Sequence, residues 1–159
     1  MNTLRVAQTK LSIGPRPGKK SIDTLRTLGF THCCTLLSAR EGAEQVRKFC
    51  KKMSSEEQTC DWVWLPIEGG NIAVLQATDM KSLMGKLLDV LKSHPSPHVY
   101  IHCSAGIHRT GFVAYLLLRM LGSDPQNARV GLESLRAVTY DQVGEDRLEV
   151  AEHFLKSWG

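Results

Sequence analysis

Residues 102–111 read His-Cys-Ser-Ala-Gly-Ile-His-Arg-Thr-Gly and set Cys103 and Arg109 six positions apart. The five residues between them, Ser104, Ala105, Gly106, Ile107 and His108, can curl so that successive backbone N–H groups converge on one point. Such a nest binds an anion. A helix opening at about Arg109 would aim its unpaired N–H groups and the positive end of its dipole at the same point. Gly106 can take a positive φ without a Cβ penalty. Arg109 adds a planar fork of donors that matches two phosphate oxygens. The chemistry these residues suit is the binding of a phosphate dianion.

Cys103 stands at the base of that site. The donors that hold phosphate also favour a thiolate, and the thiolate is the nucleophile. In-line attack on a phosphoryl group would give a cysteinyl-phosphate, which water then cleaves. Thr110 can donate its hydroxyl to the sulfur and help it leave. His102 can donate to backbone or to the sulfur region and hold the loop's shape. The plainer alternative makes Cys103 an inert buried thiol and Arg109 a surface charge. A strand-like lead-in, Gly106, Thr110-Gly111 and an apolar helix after it weigh against that alternative.

The segment resembles the signature of the cysteine-dependent protein tyrosine phosphatase superfamily, a His-Cys followed after five residues by Arg and Ser or Thr. Ser104-Ala105-Gly106-Ile107 is similar to the loop of the tyrosine-specific enzymes, and His108-Arg109-Thr110-Gly111 to that of some small atypical dual-specificity phosphatases. The resemblance covers most of the chain in outline, and only this loop is highly specific. It implies an aspartate general acid on a loop upstream of the cysteine. The matching loop here is Leu65-Pro66-Ile67-Glu68-Gly69-Gly70-Asn71, whose carboxylate is Glu68. Glu68 is therefore the expected acid, one methylene longer than aspartate. Asp79 reads first as a helix-start charge, and Asp61 begins its strand at the end away from the site. Some relatives position the hydrolytic water with a glutamine, here Gln142, which reads equally well as a solvated turn residue. Some carry a cysteine that forms a reversible disulfide with the nucleophile, here Cys60, whose alternative is a buried strand thiol. Gln142 and Cys60 are candidates on the resemblance alone.

The elements that must hold the loop can be read from periodicity. Strands are expected at Leu11–Gly14, Cys33–Leu37, Asp61–Ile67 and in the run from His98 to Ile101. Trp62 and Trp64 alternate and should pack on one face. Helices are expected from Ile22, capped by Ser21 and stopped by Gly29, and over Glu41–Met53. Further helices are expected over Met80–Leu91, Phe112–Leu121, Asn127–Arg136 and Glu145–Trp158. Strand and helix alternate with short connections, which predicts a single α/β domain over residues 1–159 with a mainly parallel central sheet. Such sheets bind ligands outside the carboxyl ends of their strands, and Cys103 stands at one. The resemblance implies the same architecture.

Composition narrows the function. A chain of 159 residues suits one domain with a real core. The net charge of +4 suits anionic ligands, yet no Lys/Arg block argues for nucleic acid. No apolar run approaches a membrane span, and residues 1–10 lack a signal-peptide core. The five cysteines resemble neither a disulfide framework nor a zinc site. A free nucleophilic thiol points to a reducing compartment, the cytoplasm. The expectation is a monomeric phosphatase, without cofactor or metal, acting on phosphotyrosine in proteins and also on phosphoserine or phosphothreonine. A phosphoinositide phosphatase is the alternative, although the loop offers no lysine. An inactive phosphoprotein-binding module, a sulfurtransferase or arsenate reductase, and an RNA 5′-phosphatase are the other classes weighed.

Overall fold

A computed structural model describes residues 1–158. Five strands, β1 (Leu4–Val6), β2 (Thr9–Gly14), β3 (His32–Thr35), β4 (Asp61–Trp64) and β5 (His98–His102), form one sheet in the order β1-β2-β5-β3-β4. All neighbours run parallel except β1, which pairs antiparallel with β2. The mainly parallel α/β domain expected from the sequence is the fold observed.

β5 lies in the middle of the sheet, in register with Gly14 of β2 and Thr35 of β3 at its last residue, His102. Its carboxyl end therefore opens between two other strand ends. Alternation along the strands divides the core in two. Val99, Ile101 and Cys34 face one side, while Tyr100 and Cys33 face the other. On the second side lie α1 (Ile22–Thr27) and α2 (Ala43–Lys52). On the first lie α3 (Ile72–Ala77), α4 (Met80–Lys92), α5 (His108–Met120), α6 (Pro125–Leu135), α7 (Ala137–Val143) and α8 (Glu145–Lys156).

α5 is buried from Arg109 to Leu118. A helix apolar on nearly every side belongs in the middle of a layer, and here α6, α7 and α8 cover it. Each fully buried Leu or Phe on it contributes about 1.5–3 kcal/mol. That burial fixes the first turn, which carries Arg109 and Thr110. Trp62 and Trp64 stack at 5.6 Å with Arg47 over Trp62, on the α2 side.

Several boundaries differ from expectation for local reasons. β3 and β4 end at Thr35 and Trp64, where the chain passes into loops that keep only scattered backbone bonds, Leu36 N–H to His102 O and Leu65 N–H to Thr35 O among them. The helix expected from Glu41 starts at Ala43, after a short 3-10 turn over Ala39–Glu41 closed by Gly42 at φ 89°. Ser21 makes no side-chain cap, since its hydroxyl accepts from the Gly18 N–H at 3.1 Å. α6 opens earlier than Asn127 because Asp124 caps it, accepting from the Asn127 N–H at 2.8 Å, with Pro125 at the first position. β1, α3 and α7 were not expected at all. Among the described residues no helix is long and apolar enough to cross a membrane.

Candidate active site

Residues 103–107 curl at the end of β5 before α5 begins. Gly106 has φ 72°, and a Cβ there would overlap the Gly14 carbonyl and approach Pro15 N to 2.7 Å. The loop thus rests against the end of β2, and only glycine fits the contact. Donors outside the loop take its carbonyls. Arg16 N–H donates to Ser104 O at 3.0 Å. Arg136 Nη1 donates to Ala105 O at 3.0 Å and Gly106 O at 2.9 Å. Thr139 Oγ1 donates to Gly106 O at 2.6 Å. Because each peptide is planar and trans, carbonyls turned outward leave the N–H groups of Ala105, Gly106 and Ile107 facing in. This is the geometry of an anion nest.

Cys103 is buried at the floor, and Thr110 Oγ1 donates to its sulfur at 3.0 Å. His102 lies behind. Trp62 Nε1 donates to Thr35 Oγ1 at 2.8 Å, so the Thr35 hydroxyl hydrogen is free to donate to His102 Nε2 at 2.7 Å. The ring then carries its proton on Nδ1 and donates to Cys103 O at 2.9 Å. Burial pushes the His102 pKa down to about 4, so the ring is neutral. Of the two options open to it, His102 bonds the backbone.

Arg109 is nearly buried, and its fork meets a carboxylate the sequence reading did not single out. Nη1 and Nη2 donate to the two oxygens of Glu41 at 2.7 and 2.8 Å. Nη1 also donates to Ile67 O at 2.8 Å. Ser38 N–H and Oγ donate to Glu41 Oε1 at 2.9 and 3.0 Å. The Arg109 hydrogen bonds hold the Glu41 carboxyl down at about 2, and the same pairing raises Arg109 further. The one sequence signal for Glu41 was Ser38 three residues before it, the pattern of a capping box.

The cavity above Cys103 measures about 160 Å³ and is lined by Gly70, Cys103, Ser104, Ala105, Ile107, His108 and Arg109. All the lining residues but Gly70 belong to the loop expected to bind phosphate. Glu68 is not among them. It lies on the opposed loop as expected, but its carboxylate pairs with exposed Arg40 at 3.2 Å. Asp79 caps α4, accepting from Ser82 N–H at 3.2 Å. Asp61 begins β4, at the other end of the sheet. Gln142 is exposed near the end of α7, a helix rather than a turn, and does not line the cavity. Cys60 is buried at the start of β4 beside Cys50. Cys103 is level with Leu65 in register, five strand residues or about 16 Å further on. The structure therefore does not bring Cys60 to Cys103. Cys33, Cys50 and His102 offer ligand atoms within 4.8 Å of one another. Both His102 nitrogens are already engaged, so no metal site follows from that cluster.

Comparisons with known proteins bear on the family and the fold. A family model described as the tyrosine phosphatase family matches residues 16–129. No curated protein sequence gives a significant match. Among solved structures, the chain is similar to a human tyrosine phosphatase-like serine/threonine/tyrosine-interacting protein, at TM-score 0.63 and 16% identity over 97% of this chain and 95% of that one. It is similar to the kinase-associated phosphatase KAP carrying a serine for its catalytic cysteine, at 0.62 and 20% over 94% and 86%. It is also similar to PTPMT1 in complex with PI(5)P, at 0.59 and 17% over 98% and 96%. At these identities the structures establish the fold. The family model runs from the turn after β2 through the cysteine loop and the helix that anchors it, and on that match the chain belongs to the tyrosine phosphatase family, within the cysteine-dependent superfamily.

Proposed function

We propose that the chain is a phosphomonoesterase that removes phosphate from phosphotyrosine in proteins, and also from phosphoserine and phosphothreonine, through a cysteinyl-phosphate. The observation that carries this reading is Cys103 beneath a nest whose Ser104, Ala105 and Gly106 carbonyls are drawn outward, with Arg109 at its side. Cys103 attacks phosphorus. The inward N–H groups and Arg109 take the charge that spreads over the equatorial oxygens. Thr110, already donating to the sulfur, stabilises it as it leaves in the second step. His102 keeps Cys103's carbonyl turned away from the phosphate.

The size of the cavity supports the breadth of substrate. At about 160 Å³ it falls below the roughly 300–1,000 Å³ of pockets that enclose a whole small ligand. It holds the phosphoryl group and leaves the attached residue on the surface, so it selects weakly among phosphotyrosine, phosphoserine and phosphothreonine. The lack of lysine on the loop favours phosphoprotein over the more highly charged phosphoinositides. The reading further places a monomer in the cytoplasm, where a free thiol persists. Glu68 could serve as the acid only by leaving Arg40.

The test is hydrolysis of a phosphotyrosine peptide, a phosphoserine peptide and a phosphoinositide panel by wild type and Cys103→Ser. Turnover of the peptides that vanishes in the variant supports the reading. Unchanged turnover in the variant ends it. A preference for the phosphoinositides moves the assignment to lipid substrates, and phosphopeptide binding without turnover moves it to a binding module.

A further inference from the structure

The reaction needs a proton at the leaving oxygen and, later, a base for the attacking water, and the cavity contains no carboxylate. Of the residues lining it, only Cys103, His108 and Arg109 titrate. Cys103 is the nucleophile and Arg109 never gives up its proton in the working range. We propose that His108 is the proton-carrying catalytic residue of this site. This extends the phosphomonoesterase reading above and rests on it.

The surroundings of His108 fit the role. It opens α5 at the rim of the cavity. The opposed loop is seated against it: a Cβ on Gly70 would stand 2.8 Å from His108 Cβ, so the loop approaches as only glycine allows. Arg147 fixes that approach from α8, with Nε donating to Gly70 O at 2.6 Å and Nη1 to Val143 O at 2.9 Å. The backbone carbonyl of Gln142, on α7, lies on the same side and favours the charged imidazole. A neutral imidazole has one donating and one accepting nitrogen, so it can serve a ligand in either sense. Gln142 thus bears on the site through its backbone rather than its side-chain amide.

The groups facing His108 are cationic or neutral. Arg109 lies on its own helix, Arg147 on α8, the Gln142 carbonyl on α7 and Gly70 on the opposed loop. Glu68, the carboxylate of that loop, is drawn off to Arg40. Partial burial first, then Arg147 and Arg109, lower the pKa of His108 below its usual 6.5. The ring is therefore mostly neutral at pH 7.

The steps balance. The Cys103 thiolate forms the S–P bond as the P–O bond to the leaving group breaks, and the imidazolium of His108 gives its proton to that oxygen. The neutral imidazole then takes a proton from water as its oxygen attacks phosphorus. The S–P bond breaks, phosphate departs, and thiolate and imidazolium are restored.

The experiment is kcat/KM across aryl phosphates, from dinitrophenyl to phenyl phosphate, for wild type, His108→Gln, Glu68→Gln and Cys103→Ser. Dinitrophenolate needs no proton to leave, so His108→Gln should stay within about threefold of wild type on that substrate, which also reports an intact fold. On phenyl phosphate it should lose about 10²-fold. Wild-type kcat/KM on phenyl phosphate should fall as pH rises through the His108 pKa, and this limb should be absent in His108→Gln. Glu68→Gln should track wild type throughout. If His108→Gln tracks wild type on phenyl phosphate, or Glu68→Gln alone shows the loss, the proposal is overturned while the cysteine mechanism stands. If Cys103→Ser retains full activity, or wild type turns over none of the series, the phosphatase reading itself fails and the proposal with it.

Discussion

Two loops face each other across the cleft, and they differ in what holds their charged side chain. The cysteine loop is fixed from outside through its carbonyls, by Arg16, Arg136 and Thr139, and its arginine is gripped by Glu41. The opposed loop, residues 65–71, is fixed by the buried side chains of Leu65 and Ile67 and by backbone hydrogen bonds. Leu65 N–H donates to Thr35 O, Ile67 N–H to Leu36 O, and Arg109 and Arg147 take the carbonyls of Ile67 and Gly70. Its carboxylate is left at the surface in a pair whose side chains are 87% and 62% exposed, a class worth about 0–1 kcal/mol. A loop can be in the expected place while its expected side chain is elsewhere. Position in the fold predicts where backbone goes; only packing predicts where an acid points.

The contrast can be tested by cutting each loop's ties. Cys103→Ser should lose about 10⁴-fold or more in kcat while still binding phosphopeptide, measurable by calorimetry. Glu41→Gln comes next. It keeps the shape but removes the charge that orients Arg109, and hydrogen bonds to charged groups are worth about 1.5–3 kcal/mol each. A fall in kcat/KM of about ten- to a hundredfold is expected, with a lower melting temperature. Its pH signature has a definite sign. Glu41 titrates at about 2 in the folded state against an ordinary 4.5, so its stabilisation is complete above about 4.5 and lost as pH falls toward 2. Glu41→Gln should flatten acid unfolding over that window.

Smaller effects separate the loops further. Arg136→Ala frees the Ala105 carbonyl, leaves Gly106 O to Thr139 alone, and should raise KM by about fivefold to tenfold, as expected for about 1–1.5 kcal/mol of hydrogen bonding. Glu68→Gln, on the other loop, should cost less than about threefold even on a phosphopeptide, because it removes only a surface ion pair. Cys60→Ser should leave the rate of peroxide inactivation unchanged. Protection of wild type relative to that variant would mean the sheet opens enough to bring Cys60 to Cys103.

What the sequence disclosed follows the same division. The cysteine loop was legible because its chemistry lies in consecutive residues and because β5 and α5 on either side are strongly patterned. The sheet was legible from short apolar runs punctuated by Gly and Pro. Glu41 was not, since its partner Arg109 is remote in the chain and the pairing exists only once β3 and α5 are side by side. α3 and α7 escaped notice because each is too short to show a helical period. α7 was further hidden by Arg136, whose φ of −166° breaks the chain from α6. His108 was read only as one of the loop residues, because its setting depends on Gly70 and Arg147, which no local pattern connects to it.

The contact between Gly14 and Gly106 carries a consequence for how this protein could change. A Cβ on Gly106 has nowhere to go because of Gly14's carbonyl, and a Cβ on Gly14 would stand 2.5 Å from the Tyr100 hydroxyl, which itself donates to Pro15 O. Neither position can yield to relieve the other. In a deep library of variants sorted for activity, substitutions at both glycines should disappear together. Gly14 lies in a strand with no part in the chemistry, yet it would behave genetically as a member of the cysteine loop.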